Sequence, residues 1–136
     1  MMNVLVTGGA GYIGSHVVEE LQKNGFTPIV YDNLSTGHAA AVPEEVQLVE
    51  GDIHDVAFLK HIMAQFEIDA VINFAASSLV GESMENPSKY YFNNVEGSLH
   101  LLGSNERRWR RLYRFLRRRR QYTESLRACP LKRTAV

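Results

Sequence analysis

Apolar positions over the first 102 residues switch between two periods. Val4, Leu5 and Val6 form a short, β-branched run; Ile13, Val17 and Leu21 then recur every fourth residue, the spacing of one helix face, and Asn24-Gly25 supplies the stop. Residues 27–31 and 46–49 return to the strand pattern. Leu59, Ile62, Met63 and Phe66 form a second helical stripe, with Asp55 placed to cap it. Residues 70–76 are a near-continuous apolar run, as expected of a parallel strand covered on both faces. Asn86-Pro87 opens a last helix, whose stripe is Tyr91, Val95, Leu99 and Leu102. The order strand, helix, strand, strand, helix, strand, helix places the chain in the α/β class with a parallel sheet.

The first strand-to-helix junction carries the candidate chemistry. It reads Thr7-Gly8-Gly9-Ala10-Gly11-Tyr12-Ile13-Gly14, and Asp32 follows eighteen residues after Gly14, at the end of the second strand. Gly8 permits a tight turn, Gly11 lets a ligand approach the backbone, and Gly14 lets the helix lie close to the sheet. Backbone N–H groups at such a turn, together with the helix N-terminus, face an anion with no side chain between them. A carboxylate at Asp32 accepts hydrogen bonds from both hydroxyls of an adenosine ribose and repels a 2′-phosphate, which favours NAD over NADP. A glycine triplet alone also suits any tight turn, and an Asp alone also ends a strand. Together with the helix stripe, they predict a Rossmann-like doubly wound parallel sheet, truncated after about four strands, that binds a dinucleotide.

The net charge of zero describes neither part of the chain. Residues 1–102 hold three Lys, no Arg and thirteen acidic residues, whereas residues 103–136 hold twelve Lys and Arg against Glu106 and Glu124. The predicted organisation is an NAD-binding domain over 1–102 and a disordered or helical Arg-rich tail over 103–136. A chain of 136 residues can bury an α/β core. Only its acidic part has the apolar content for one. The lone Cys129 cannot form an internal disulfide, and no apolar run is long enough to span a bilayer; both fit a cytoplasmic protein with no membrane partner. No group of residues reads as a metal site.

With these motifs in place, the chain resembles the extended short-chain dehydrogenase/reductases, the NAD-dependent epimerase/dehydratase family, and within it the UDP-glucose 4-epimerases. The matching pieces are the junction through Ser15-His16, Asp32-Asn33-Leu34, Glu50-Gly51-Asp52-Ile53, Phe74-Ala75-Ala76, Val80-Gly81-Glu82-Ser83 and Tyr90-Tyr91-x-Asn93-Asn94-Val95. They are spread over nearly all of residues 3–102.

The resemblance implies NAD as cofactor, with Tyr12 and Ile13 at the pyrophosphate. It puts Asp32, Asn33, Leu34, Ser35, Thr36 and Gly37 around the adenosine ribose, and Asp52 and Ile53 beside the adenine. Phe74, Ala75, Ala76, Ser77 and Ser78 would line the cofactor pocket, with Asn93 as a further polar contact. Ile53 and Phe74 also read as plain core, and Asn93 as helix surface. Some members carry a Lys where Ser78 stands, a difference that weakens cofactor binding or marks a subgroup.

The implied activity is the interconversion of UDP-glucose and UDP-galactose, an isomerase reaction of galactose metabolism. It implies a UDP-sugar substrate, NAD as a temporary hydride store and, in many full-length members, a homodimer. The implied proton acceptor is the Tyr of a Tyr-x-x-x-Lys pair. None of the six Tyr here has a Lys four residues on. No catalytic residue is therefore expected, and the truncated polypeptide is expected to be inactive by itself. The alternatives are another NAD-dependent nucleotide-sugar epimerase or dehydratase, and a non-enzymatic NAD- or nucleic-acid-binding protein.

Between Arg107 and Arg120 the tail holds nine Arg with Trp109, Tyr113 and Phe115 interleaved. That pattern suits a nucleic-acid binder that clamps phosphates, or a solvated basic helix. A third reading is an out-of-frame translation. Arg codons read one frame over give triplets for Ser, Pro, Thr or Ala, and residues 114–126 then permit Ile-Ser-Ser-Ser-Thr-Ala-Ala-Val-Tyr-Gly-Glu-Pro. This resembles the fifth-strand segment of the family. Nucleic acid is expected as a partner only non-specifically, through the Arg-rich tail.

Overall fold

The computed structural model describes residues 2–77 and 80–104. β1 (Asn3–Thr7), β2 (Thr27–Asp32), β3 (Gln47–Glu50) and β4 (Ala70–Asn73) form one parallel sheet in the order β3-β2-β1-β4. In register, Leu5 lies beside Ile29 on one side and Val71 on the other. α1 (Tyr12–Lys23) connects β1 to β2, and α2 (Val56–Gln65) connects β3 to β4. A single 3-10 turn (Ala39–Ala41) lies between β2 and β3. After β4 come α3 (Val80–Glu85), α4 (Pro87–Tyr90), a π-helical turn (Tyr91–Glu96) and α5 (Gly97–Ser104). This is one half of a doubly wound sheet, as the alternation predicts. The basic stretch and Ser78 lie outside the described residues.

The pleat of β1 and β2 divides the core between the two faces of the sheet. Val4, Val6 and Val30 meet Ala10, Val18, Val42 and Val46 on the α1 side. Leu5, Ile29 and Tyr31 point the other way, onto Leu59, Ile62 and Met63 of α2 and Leu101 of α5. Fully burying a side chain such as Leu59 stabilises the fold by about 1.5–3 kcal/mol. Asp55 caps α2 as expected, accepting the Phe58 N–H at 3.0 Å.

Both long helices end in the same hydrogen-bond pattern. Phe26 N–H bonds to the Leu21 carbonyl and Gly25 N–H to the Gln22 carbonyl, each at 3.0 Å, with Gly25 at φ 78°. At the end of α2, Ile68 N–H bonds to Met63 at 3.0 Å and Glu67 N–H to Ala64 at 3.2 Å, with Glu67 at φ 47°. A glycine would adopt that last angle without strain, so Glu67 gives no sign of the turn in the sequence.

Three expectations shift. The buried face of α1 is Gly14, Ser15 and Val18, whereas Ile13 is 63% exposed. The cause is the contact of Gly14 with the preceding turn: a Cβ there would lie 2.8 Å from Gly9 Cα, so the side chain one helical turn on, Val18, meets the sheet. β4 stops at Asn73 and is only partly buried, because β1 is its one neighbour among the described residues. The last helix is not continuous, and the expected stripe faces outward, with Tyr91 72% and Leu99 59% exposed. The π-helical turn inserts extra backbone and rotates the register, so that Gly97 and Leu101 pack inward instead.

Candidate functional site

β1 and β4 are neighbours although β2 and β3 separate them in the chain. Connections leave their C-terminal ends in opposite directions, which opens a crevice at the point where strand order reverses, the usual ligand position in such sheets. Gly8 follows β1 at φ 69°, its N–H donating to the Tyr31 carbonyl at 2.9 Å. A Cβ on Gly8 would stand 2.6 Å from Ala75 N and from the Phe74 carbonyl carbon. Only glycine lets the two strand ends close. Gly11 caps α1, with the Ser15 N–H bonded to its carbonyl at 2.9 Å. Tyr12, Ile13 and Gly14 are thus the first helical residues, whose N–H groups have no partner within the helix and suit an anion.

Asp32 braces this turn from below. Its buried carboxylate accepts the Ala10 N–H through Oδ2 and the Leu34 N–H through Oδ1, both at 2.9 Å. The second bond is an Asx turn, and Leu34 beyond it sits at φ 55°. Asn33 repeats the device by accepting the Ser35 N–H at 3.1 Å. Gly37 brings the following loop against the glycine turn; a Cβ there would lie 3.0 Å from Ala10. Each Asp32 oxygen keeps a further lone pair, so the bracing leaves acceptor capacity toward the cleft.

The β3 end forms the adjoining wall. Tyr31 Oη donates to the Asp52 carbonyl at 2.9 Å, while the Asp52 carboxylate accepts the His54 N–H at 2.9 Å and Asn33 Nδ2 at 3.1 Å. Burial opposes ionisation of Asp52, but the two hydrogen bonds and the nearby His54 ring outweigh it and hold the carboxyl below its usual range. Burial, reinforced by Asp55 and Asp52, pushes the Tyr31 phenol up to about 12, so Tyr31 is a neutral donor.

The cleft has a volume of about 880 Å³. Gly8 and Gly11 line it together with Asp32, Asn33, Ser35, Thr36 and Gly37 of the loop after β2, and with Asp52 and Ile53. Across the opening, Phe74, Ala75, Ala76 and Ser77 line it with Asn93. Tyr12, Ile13, Gly14 and Leu34 are not among the lining residues; the first three stand at its edge as the start of α1. Ile53 is both core and cleft wall, and Gly97 packs on it.

The far wall was only partly legible in the sequence: Glu82 and Tyr90 stand in the matching pieces, whereas Lys89 and the contacts among the three do not. Lys89 pairs with Glu82, and Tyr90 Oη donates to the other Glu82 oxygen at 2.8 Å. Lys89 first, then Tyr90, hold the Glu82 carboxyl below its usual range. Among the described residues Lys89 is the one Lys or Arg lining the cleft. His54 stacks on Phe92 with ring centroids 4.5 Å apart, at the edge of the same cleft. These contacts cross a helix break, so no spacing signals them. Gly51 was signalled by its place in Glu50-Gly51-Asp52 and packs against the Tyr31 ring. Among the described residues no cluster could hold a metal ion, and no helix is long and apolar enough to cross a membrane.

Residues 4–116 match the NAD dependent epimerase/dehydratase family. The chain is 52% identical over 101 residues to a UDP-glucose 4-epimerase of Lactobacillus helveticus, covering 74% of this chain and 31% of that one. The crystal structure of UDP-glucose 4-epimerase from Brucella ovis in complex with NAD superposes with a TM-score of 0.76 at 53% identity, over 79% of this chain and 33% of that one. The enzyme from Thermotoga maritima, crystallised with UDP-glucose, gives a TM-score of 0.74 at 38% identity, over 79% and 35%. The chain therefore spans about a third of the length of the relatives it matches.

Proposed function

This chain belongs to the NAD dependent epimerase/dehydratase family, and from that premise we infer that its residues 3–102 are the NAD-binding half of a UDP-glucose 4-epimerase. One observation carries the reading: the backbone of Ala75 closes over Gly8 where no Cβ fits, in the same turn whose Ala10 N–H is held by Asp32. A cleft of about 880 Å³ with that floor, a helix N-terminus and a carboxylate at the end of β2 fits a dinucleotide.

The N–H groups of Tyr12 and Ile13 meet the pyrophosphate, with Gly8, Gly11 and Gly14 keeping side chains out of its way. Asp32, with Asn33 and the loop Leu34, Ser35, Thr36 and Gly37, holds the adenosine ribose. Asp52 and Ile53 flank the adenine. Phe74, Ala75, Ala76, Ser77 and Ser78 carry the other half of the dinucleotide, with Asn93 as a polar contact. NAD, when bound, supplies a hydride acceptor and donor; these residues bind it, orient it and exclude water from one side.

For the whole enzyme the proposed activity is interconversion of UDP-glucose and UDP-galactose in the cytoplasm. The outward stripe of Tyr91, Val95, Leu99 and Leu102 supports a homodimer. The 136-residue polypeptide holds no Tyr-x-x-x-Lys pair, so it does not epimerise, and its residues 103–136 are an out-of-frame translation. Pure protein given UDP-galactose and NAD is expected to form no UDP-glucose; turnover that disappears with Asp32→Ala would overturn this. The coding DNA across codons 100–136, read in the other frames, is expected to continue into a Tyr-x-x-x-Lys segment. Stop codons in both other frames would refute the frameshift.

A further inference from the structure

We propose that Phe92 packs its ring on the adenine base of the cofactor and that His54 positions that ring; the inference rests on the NAD-binding reading above. Phe92 lies in the π-helical turn, lines the cleft and is more than half exposed. A large aromatic ring left open inside a cleft offers its face to a flat, apolar partner. Extra backbone of the π-helical kind recurs at functional sites. Here it turns Phe92 toward the cleft in place of the core.

The orientation of Phe92 is itself fixed. The His54 ring lies flat on it, with centroids 4.5 Å and planes 15° apart. His100 of α5 meets the same imidazole edge-on, at 5.4 Å and 88°, and Glu96 lies 3.6 Å from His100 Nε2. The backbone of His54 is tied down as well, because its N–H donates to the Asp52 carboxylate at 2.9 Å. Its Nδ1, by contrast, is buried without a hydrogen-bond partner. A buried nitrogen left unpaired costs stability, so the imidazole is held here by its flat face and its backbone and not by Nδ1. With one face of Phe92 covered by His54, the other face and the rim are the surface open to a ligand.

The strand order says which part of the dinucleotide this ring serves. Asp52, Ile53 and His54 follow β3, on the adenosine side of the crossing point between β1 and β4. Gly97 has no room for a Cβ against Ile53, so the start of α5 lies directly on this loop and brings the π-helical turn beside it. A purine presents a wide π-face and gains from an aromatic neighbour whatever hydrogen bonds its edge makes. Asp52 then supplies polar contact to the base and Phe92 supplies area. A side chain that acts only on the base affects NAD and a ligand confined to the adenosine half alike.

The test is calorimetric titration of the 136-residue protein with NAD and with ADP, for wild type, Phe92→Ala, Phe92→Tyr, His54→Ala and the double variant His54→Ala with Phe92→Ala. Phe92→Ala removes the ring and is expected to weaken NAD and ADP alike, at least about fivefold. Phe92→Tyr keeps the flat face and is expected to stay within about twofold of wild type for both. His54→Ala is expected to weaken both about threefold, and to add nothing once Phe92 is alanine, since it acts through that ring. Unchanged affinities in Phe92→Ala, a loss in Phe92→Tyr as large as in Phe92→Ala, or a loss of NAD with ADP spared overturns the proposal. An additive effect of His54→Ala overturns its positioning role. If His54→Ala does not fold, the two variants of the exposed Phe92 decide. Wild type that binds ADP but not NAD leaves the ADP series to decide the proposal, whereas wild type that binds neither refutes the NAD-binding reading and this inference with it.

Discussion

Asp32 Oδ2 accepts the Ala10 N–H at 2.9 Å, a bond that joins the end of β2 to the glycine turn after β1. Both groups are buried, so removing the acceptor strands a donor away from water. Asp32→Ala is expected to destabilise the fold by about 1–3 kcal/mol, the range for a buried unsatisfied group. Asn in its place keeps one acceptor oxygen and is expected to lose less. Urea denaturation measures both. If Asp32 also faces the ribose, Asp32→Ala will narrow the preference for NAD over NADP, which competitive titration detects; an unchanged preference would confine Asp32 to bracing.

The two left-handed glycines separate strain from steric exclusion. Gly8 and Gly25 lie at φ 69° and 78°, but a Cβ on Gly8 would meet Ala75 N at 2.6 Å while Gly25 has nothing within 4 Å. Gly25→Ala is expected to cost about 1 kcal/mol in thermal or urea unfolding and to leave NAD affinity unchanged. Gly8→Ala must push the β4 end away, so its loss of NAD affinity is expected to exceed tenfold. Equal effects of the two changes on binding would show that the closure at Gly8 is not part of the site.

Tyr31 gives the alkaline limb of stability its shape. Its phenol titrates at about 12 in the folded protein, against about 10 in an unfolded chain. The folded state therefore favours the neutral form; that stabilisation is complete below pH about 10 and is lost as pH rises toward about 12. Tyr31→Phe is expected to flatten the loss of stability across this window, read as urea midpoints from pH 9 to 12. An identical slope in wild type and variant would contradict the burial argument.

Residues 103–136 are expected to contribute nothing to cofactor binding if they are an accident of translation. A chain ending at Leu102 should bind NAD within about tenfold of the 136-residue protein, a coupling under about 1.4 kcal/mol. The full chain should retain DNA of any sequence at low salt and release it steeply as salt rises, because counterion release needs only the arginines. Sequence preference that survives 200 mM salt would identify a working nucleic-acid module.

The sheet was legible because its strands are short apolar runs bounded by strong turn signals, and the glycine junction was legible because each glycine has a separate steric reason. The buried face of α1 is offset by one residue from the apolar period. Ile13 continues the apolar period, but Gly14 makes the closest approach and so decides which side turns inward. The π-helical turn left no periodic signal, since Tyr91, Val95, Leu99 and Leu102 look like a core stripe until extra backbone rotates them outward. In the site, Asp32 was readable as a carboxylate at the end of β2, while its bond to Ala10 depends on strand register that no local spacing encodes. The same holds for the contacts among Glu82, Lys89 and Tyr90, and for the stack of His54 on Phe92.

Titration of the purified 136-residue protein with NAD and NADP tests the central claim most directly. Saturable binding of one NAD per chain, with NADP at least about tenfold weaker, is the expected result: the glycine turn admits the pyrophosphate, and the Asp32 carboxylate repels a 2′-phosphate. Folded protein that binds neither nucleotide at millimolar concentration, or that prefers NADP, would contradict it.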